Sequence, residues 1–130
     1  MKEIFIAAAA ILRADGALLL ARKKNTAAFM LPGGKIEPGE SAEAALIREL
    51  QEELALDLAP GTARYLGRFE APAANEAGHV AYGEIYRFEW DAPITVQAEI
   101  AEAVWVQRAE AEALVLAPLT RQHVLPLIWD

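Results

Sequence analysis

Apolar residues in this chain are grouped in runs that predict strands, with one amphipathic helix between two sets of them. The run 4–12 is followed by Asp15 and Gly16 and then by a second apolar run, 17–21. An Asp-Gly pair between two apolar runs is a strong signal for a β-hairpin. We therefore predict that the first two strands pair through a tight turn.

Turn-forming residues dominate the segment 32–40, where we predict an irregular loop after the polar loop 22–30. Ser41 is a good N-cap, and Glu43 suits the positive end of the helix that follows. The apolar spacing extends this helix over 41–54 and ends it before 57–61.

The rest of the chain predicts three more strands and two helices. The strands are 62–70, 79–90 and about 103–107, separated by the loops 71–78 and 91–98. A short helix follows at 108–116, and Pro118 opens a last helix that Pro126 should kink or end. This order predicts an α+β fold in one domain, 1–130, with a mixed sheet covered by helices on both faces.

Composition narrows the class of protein. The 130 residues are 55% hydrophobic, which excludes a disordered chain. Twelve basic and nineteen acidic side chains give a net charge of −7, which argues against binding nucleic acid polymers or anionic membranes. With no cysteine, disulfides and thiolate chemistry are excluded.

The apolar run at 4–12 has a second interpretation, a short secretory signal. Its basic flank is weak because Glu3 neutralises Lys2, and the run is far below the roughly 20 residues that cross a membrane. We expect a first strand instead, and a cytoplasmic protein.

The helix predicted at 41–54 has an apolar face and an acidic face. Four apolar side chains share one arc of about 100°: Leu46, Ile47, Leu50 and Leu54. Glu49, Glu52 and Glu53 share a second arc, where like charges repel and the helix dipole disfavours them. Arg48 can pair with Glu52 but cannot neutralise all three. A solvated acidic face is one interpretation; a site for Mg²⁺ or Mn²⁺ is the other, because hard cations take oxygen ligands.

A longer pattern surrounds these glutamates. Gly34 is followed six positions on by Glu40, and eight positions later by the block Arg48-Glu49-Leu50-Gln51-Glu52-Glu53. At these positions the chain resembles the Nudix hydrolase family, whose signature has the same residues at the same spacings. Ala55 departs from it, because the family has a glycine there that ends the helix. We expect the alanine to end the helix with some strain or to lengthen it.

The resemblance implies an α/β/α sandwich and an enzyme that hydrolyses a pyrophosphate bond in a nucleoside diphosphate linked to another group. It also implies a Mg²⁺ cofactor, with Mn²⁺ as the alternative, since an acidic pocket approaches a polyphosphate only through cations. Glu52 and Glu53 would be metal ligands and Glu49 a ligand or the general base. Gly34 would offer its backbone carbonyl.

Four further residues take roles from the same resemblance. Glu40 and Arg48 would stand behind the ligands, the arginine orienting carboxylates. Glu99 lies six residues before Trp105, as in MutT-type members, and would be a further metal ligand or the catalytic base. Glu102 is its rival, and a loop glutamate in water is the alternative interpretation.

Lys35, directly after the glycine pair, could hold a phosphate oxygen. Arg22 and Lys23 belong to the basic cluster 22–24 and could do the same from the neighbouring loop, or form an ordinary charged loop.

The substrate itself is less readable. Because side chains alternate between the two faces of a strand, the aromatic residues of strand 79–90 share one face with Glu84. Filling the core is one interpretation of these aromatic residues, and stacking on a nucleobase is the other. Asn75 could read a base edge, although asparagine is also a common turn residue. We expect a small nucleotide, a (d)NTP cleaved to the monophosphate and pyrophosphate, and a monomer or homodimer. The alternatives are ADP-ribose, a nucleotide sugar, a dinucleoside polyphosphate, or a module that binds nucleotides without hydrolysis.

Overall fold

The computed structural model describes residues 2–129. Its elements follow the predicted order: β1 (Lys2–Leu12), β2 (Leu18–Lys23), β3 (Gly33–Lys35), α1 (Ala42–Leu54), β4 (Arg64–Pro72), β5 (His79–Glu89), β6 (Ile100–Val106), α2 (Arg108–Glu112), a π-helical turn (Thr120–Val124) and α3 (Leu125–Ile128).

The strands form one mixed sheet in the order β4-β5-β1-β2-β6. β1 and β5 run parallel over their full length, whereas the predicted hairpin pairs β1 with β2 only at Leu12 and Leu18. Further along β1, residues 6–8 pair with β3 and not with β2. The two strands of the predicted hairpin are therefore paired only near their turn. The segment 32–40, predicted to be wholly irregular, therefore contains a short strand.

β3 approaches β1 very closely. A Cβ atom at Gly33 would stand 2.2 Å from the carbonyl oxygen of Ala7, and the glycine has a φ of +150°. Only a residue without a side chain fits this contact. The glycine therefore allows three residues of strand to form within a segment rich in turn formers.

The sheet separates two apolar layers, which confirms the predicted sandwich. Ala7, Ala9 and Ile11 of β1 point to the layer that α1 covers, and Ala8 and Ala10 point to the opposite layer. On α1 the three leucines of the predicted apolar arc, Leu46, Leu50 and Leu54, are completely buried. Burying each contributes about 1.5–3 kcal/mol.

Both ends of α1 are capped. Ser41 accepts a hydrogen bond from the N–H of Ala44 at 3.1 Å, as predicted. At the other end Ala55 adopts the left-handed conformation with φ +51°, and its N–H donates to the carbonyl of Gln51. The alanine thus ends the helix in the glycine position, with the strain that a Cβ atom brings there.

The last third of the chain differs in detail from the prediction. α2 ends at Glu112 rather than at 116, and β6 begins at Ile100, three residues before the prediction. The last helix begins at Pro118, as predicted, widens to a π-helical turn over Thr120–Val124 and continues as α3 at Leu125. Pro126 lacks the N–H that an α-helix needs and its ring crowds the preceding turn, which explains the widened winding. Within residues 2–129, every helix falls short of the length and apolar character that crossing a membrane requires.

Candidate active site

Arg48 on α1 lies at the centre of a cluster of ion pairs. Its Nε and Nη2 donate to the two carboxylate oxygens of Glu40 at 2.8 and 2.9 Å. Nη1 donates to Glu49 at 2.8 Å and lies 3.6 Å from a carboxylate oxygen of Glu52. Nη2 also donates to the carbonyl of Lys35 at 3.1 Å. Arg48 therefore ties the loop before α1, the acidic face of α1 and β3 together.

The bidentate pair fixes the charge of both partners. The Arg48 guanidinium, helped by the N–H of Glu37, lowers the pKa of the Glu40 carboxyl to about 2. Glu40 in turn raises the pKa of Arg48 above its already high value. Both groups are ionised at neutral pH and form a bidentate ion pair. Glu40 therefore orients the guanidinium of Arg48.

The carboxylate of Glu49 lies directly against the backbone of Gly34. A Cβ atom at Gly34 would stand 2.3 Å from Cδ of Glu49 and 2.5 and 2.7 Å from its oxygens. Carbon atoms in contact are normally about 3.5–4.0 Å apart. Position 34 has no space for a side chain while Arg48 holds Glu49 in this place.

Glu53 is a buried carboxyl with few partners. Its side chain projects into the border between α1 and β3, and the residue is 7% exposed. The N–H of Gly33 donates to its Oε1 over a long 3.4 Å. Burial, added to by the charge of Glu49, raises the pKa of Glu53 to about 8, against the opposing effects of Gly33 and Lys23. Such a group is costly to the fold alone and is typical of functional sites.

The other two candidate ligands lie further out. The side chain of Glu52 is 55% exposed. Glu99 is exposed in the loop before β6, which passes the end of α1 because the N–H of Gln97 donates to the carbonyl of Glu53 at 3.0 Å. Across residues 2–129, no three carboxylate or imidazole groups lie close enough together to hold one metal ion as they are placed.

The predicted phosphate-binding cations differ in their surroundings. Arg22 is occupied, since its Nε donates to Glu102 at 3.1 Å and its Nη1 to the carbonyl of Thr26 at 2.8 Å. Glu102, the rival of Glu99, is therefore committed to a partner on β2. Lys35 lies 3.4 Å from Glu76 in a pair that is open to solvent.

A cavity of about 120 Å³ opens on the side of β3 that faces away from α1. Its wall includes Lys23, Lys35 and both glycines of β3, and Asn75 and Thr120 also line it. Asn75 is therefore placed where it can meet a ligand. Thr120 was not singled out from the sequence, because a threonine in an apolar C-terminal segment gives no signal of its own.

The face of β5 that carries the aromatic residues is accounted for by packing. Tyr86 and Phe88 are buried in the layer beneath α1, as the core-filling interpretation predicts. Glu84, in the same row, accepts hydrogen bonds from Tyr65 at 2.5 Å and from Arg68 at 2.7 Å. Its place among aromatic residues follows from these two partners on β4.

Comparison with known proteins identifies a family. The family described as the NUDIX domain matches residues 4–128. CTP pyrophosphohydrolase of Escherichia coli K12 is 34% identical over 123 residues, which cover 91% of this chain and 86% of that protein. The chain spans about half the length of two other curated relatives. One of these is the ADP-ribose pyrophosphatase of Methanocaldococcus jannaschii, 37% identical over 78 residues that cover 58% of this chain and 45% of that protein.

Solved structures share the fold. The solution structure of the E. coli ORF135 protein matches with a TM-score of 0.69 at 32% identity, over 91% of this chain and 83% of that one. The NUDIX domain of Shewanella oneidensis NrtR, complexed with ADP ribose, matches with a TM-score of 0.78 at 20% identity, over 98% of this chain and 87% of that one. The second likeness, at this low identity, concerns the fold alone.

Proposed function

The chain belongs to the Nudix family, and from that premise we propose that it is a metal-dependent pyrophosphohydrolase acting on a nucleoside diphosphate linked to a further group. The observation that carries the proposal is the arrangement of two glutamates of the signature, Glu49 and Glu53, against the backbone of β3. A hydrogen-bonded ion pair with Arg48 holds Glu49 in place, and Glu53 is buried.

The residues present fit a divalent cation by their donor chemistry. Glu49 and Glu53 bring carboxylate oxygens to the same stretch of backbone, residues 33–34: Glu49 occupies the space that a Cβ at Gly34 would fill, and Glu53 accepts from the N–H of Gly33. Glu52 lies on the same face of α1, one residue before Glu53. Oxygen donors of this kind are what Mg²⁺ and Mn²⁺ take. A bound cation would neutralise phosphate charge and lower the pKa of a coordinated water molecule.

The chain's own residues then have distinct tasks. Arg48 keeps Glu49 at one position, so that the carboxylate does not have to be ordered during the reaction. Lys35 and Lys23, at the edge of the cavity, bind phosphate oxygens. Glu49 or Glu99 accepts the proton of the attacking water as the new P–O bond forms and the bridging P–O bond breaks.

For the substrate we favour a nucleoside triphosphate, cleaved by water to the monophosphate and pyrophosphate. The support is the match to a CTP pyrophosphohydrolase, which spans 86% of that relative. ADP-ribose is the second candidate, because an ADP-ribose pyrophosphatase is also among the relatives, over 45% of its length.

A hydrolysis screen with Mg²⁺ and with Mn²⁺ tests the proposal. The panel contains the ordinary and oxidised (d)NTPs, ADP-ribose, nucleotide sugars and dinucleoside polyphosphates, with Glu53→Gln as the blank. We expect one class of substrate to lead in kcat/KM and a triphosphate to release pyrophosphate. Activity no higher than the blank on the whole panel would refute the enzyme and favour a module that only binds nucleotides.

A further inference from the structure

The loop that follows β5 caps the C-terminal end of α1. The last four carbonyl groups of an α-helix have no partner within the helix, and three of those in α1 accept hydrogen bonds from this loop. The N–H of Thr95 donates to the carbonyl of Leu54 at 2.9 Å. The N–H of Gln97 donates to the carbonyl of Glu53 at 3.0 Å, and its side-chain Nε2 donates to the carbonyl of Gln51 at 2.8 Å. Gln97 therefore binds the end of α1 with both its main chain and its side chain.

The short segment from Gln97 to Glu99 is held at both of its ends. The N–H of Ile100 donates to the carbonyl of Gln97 at 3.2 Å, which closes a four-residue turn. Ala98 in this turn has a left-handed backbone with φ +55°, and a residue with a Cβ atom keeps that conformation where its surroundings fix it. The carbonyl of Glu99 accepts a hydrogen bond from the N–H of Lys24 at 2.7 Å. The main chain of Glu99 is therefore fixed between the end of α1 and the residue that follows β2.

Hydrogen bonds rather than apolar packing hold this segment in place. Residues 95–99 are all exposed, whereas Ile100 at the start of β6 is buried. Because Gln97 donates to the main chain of Glu53, the loop that carries Glu99 is attached directly to one of the proposed metal ligands. The amide of Gln97 adds a second attachment one helical turn away, and this attachment depends on the identity of the side chain.

We propose that Gln97 is a positioning residue that acts through Glu99. Its side-chain hydrogen bond keeps the loop, and with it the carboxylate of Glu99, beside the end of α1 that carries Glu52 and Glu53. This inference rests on the proposed function, in which Glu99 is a further metal ligand or the catalytic base. A carboxylate held in place in advance does not have to be ordered during the reaction. The cavity is lined by other segments, so that Gln97 affects the rate and not the binding of substrate.

The test removes the amide of Gln97 in two ways. Gln97→Ala deletes it and keeps the main-chain N–H, and Gln97→Glu keeps the shape but has a carboxylate that cannot donate. Gln122→Ala, at an exposed position, is the matched control for losing a glutamine. Gln97→Ala would also be combined with Glu99→Ala in a double-mutant cycle. We would measure kcat and KM on the substrate found in the screen.

A second measurement uses the metal-free protein and does not depend on activity. Hydrogen exchange followed by NMR reports how often the N–H of Lys24 is released from the carbonyl of Glu99. The N–H of Ala45, which donates to Ser41 at the other end of α1 at 3.0 Å, is the internal reference.

We expect Gln97→Ala to lower kcat by about three- to tenfold, the effect of one hydrogen bond, and to change KM by less than about twofold. Gln97→Glu should be impaired at least as much, and Gln122→Ala should keep the wild-type rate. In a protein that already carries Glu99→Ala, Gln97→Ala should lower kcat by less than about 1.5-fold, because the group on which it acts is gone. Exchange of the Lys24 N–H should be about three- to tenfold faster in Gln97→Ala, with that of Ala45 unchanged.

Four results would overturn the inference while leaving the hydrolase intact: a wild-type kcat in Gln97→Ala, a wild-type kcat in Glu99→Ala, an equal loss on Gln97→Ala with and without Glu99, or unchanged exchange of the Lys24 N–H. The equal loss would show that Gln97 only caps α1. Failure of the proposed function is separate, since it consists of hydrolysis no faster than in Glu53→Gln. The exchange of the Lys24 N–H then still decides whether Gln97 holds Glu99 in place.

Discussion

Replacing Gly34 by alanine tests whether the position of Glu49 determines the rate. The new methyl group would stand 2.3 Å from Cδ of Glu49, and a carbon contact needs about 3.5 Å. The carboxylate would therefore have to withdraw by about 1.2 Å, which breaks its 2.8 Å hydrogen bond to Arg48. A displacement of about 1 Å at a catalytic group can lower the rate by about 100-fold. We expect kcat to fall by about that factor, with KM changed much less.

Steady-state kinetics on the substrate found in the screen would measure this effect, with thermal unfolding to show that the variant is folded. Glu49→Asp withdraws the carboxylate by one methylene group, so the double variant Gly34→Ala/Glu49→Asp should be far less impaired than the two single losses predict. Gly61→Ala is the control for kcat: a Cβ atom there meets no other atom within 4 Å, so the strain of its left-handed backbone (φ +82°) should lower the stability of the fold but not kcat. A Gly34→Ala enzyme with kcat within about threefold of wild type would refute the argument that Glu49 must remain where it is.

Four other predictions follow from the same geometry. The pKa of Glu53 is raised from 4.5 to about 8, so the folded protein holds this proton more tightly than the unfolded chain does. The metal-free protein should therefore lose a few kcal/mol of stability as the pH rises from about 4.5 to 8. Thermal unfolding in EDTA should show this loss, and the variant Glu53→Gln should not have it. Arg48→Lys cannot form the bidentate pair and should lower kcat by about 10- to 100-fold, whereas activity near the wild-type level would show that the fork is dispensable. Glu99→Ala should lower kcat more than Glu102→Ala. The reverse order in steady-state kinetics would show that Glu102, not Glu99, is the further metal ligand or catalytic base. Ala55→Gly should raise the free energy of unfolding by about 1 kcal/mol, which denaturant titration would detect, and a loss instead would show that the left-handed alanine carries no strain.

The parts of the structure that local patterns determine could be predicted from the sequence. The hairpin turn at Asp15-Gly16, the cap at Ser41 and the two faces of α1 depend on residues close to each other in the chain. The strand β3 could not be predicted, because it exists through the contact between Gly33 and Ala7.

Features that depend on contacts between distant segments were missed for the same reason. The position of Glu84 among aromatic residues is explained by the hydrogen bonds that it accepts from Tyr65 and Arg68. No spacing in the sequence indicates that these three residues lie together. Thr120 is buried beside a cavity that residues of β1, β3 and the loop at 73–76 also line, all of them distant from it in the chain. The two faces of α1 were readable because their residues follow the helical repeat, whereas the signature was recognised through the resemblance to the family.

Because β1 pairs with β2 only at Leu12 and Leu18, β3 lies beside β1, where its glycines contact the cavity as well as the carboxylates of α1. The cavity is lined by residues of the strands β1 and β3, of the loops before β3 and after β4, and of the C-terminal segment, and α1 contributes none of them. Insertions or replacements in the loop after β4 can therefore alter what the cavity accepts without changing a residue that contacts Arg48 or the glutamates, whereas β3 contacts both the cavity and those side chains. A domain built in this way can change what its cavity accepts through one surface loop, while α1 and its signature residues stay the same.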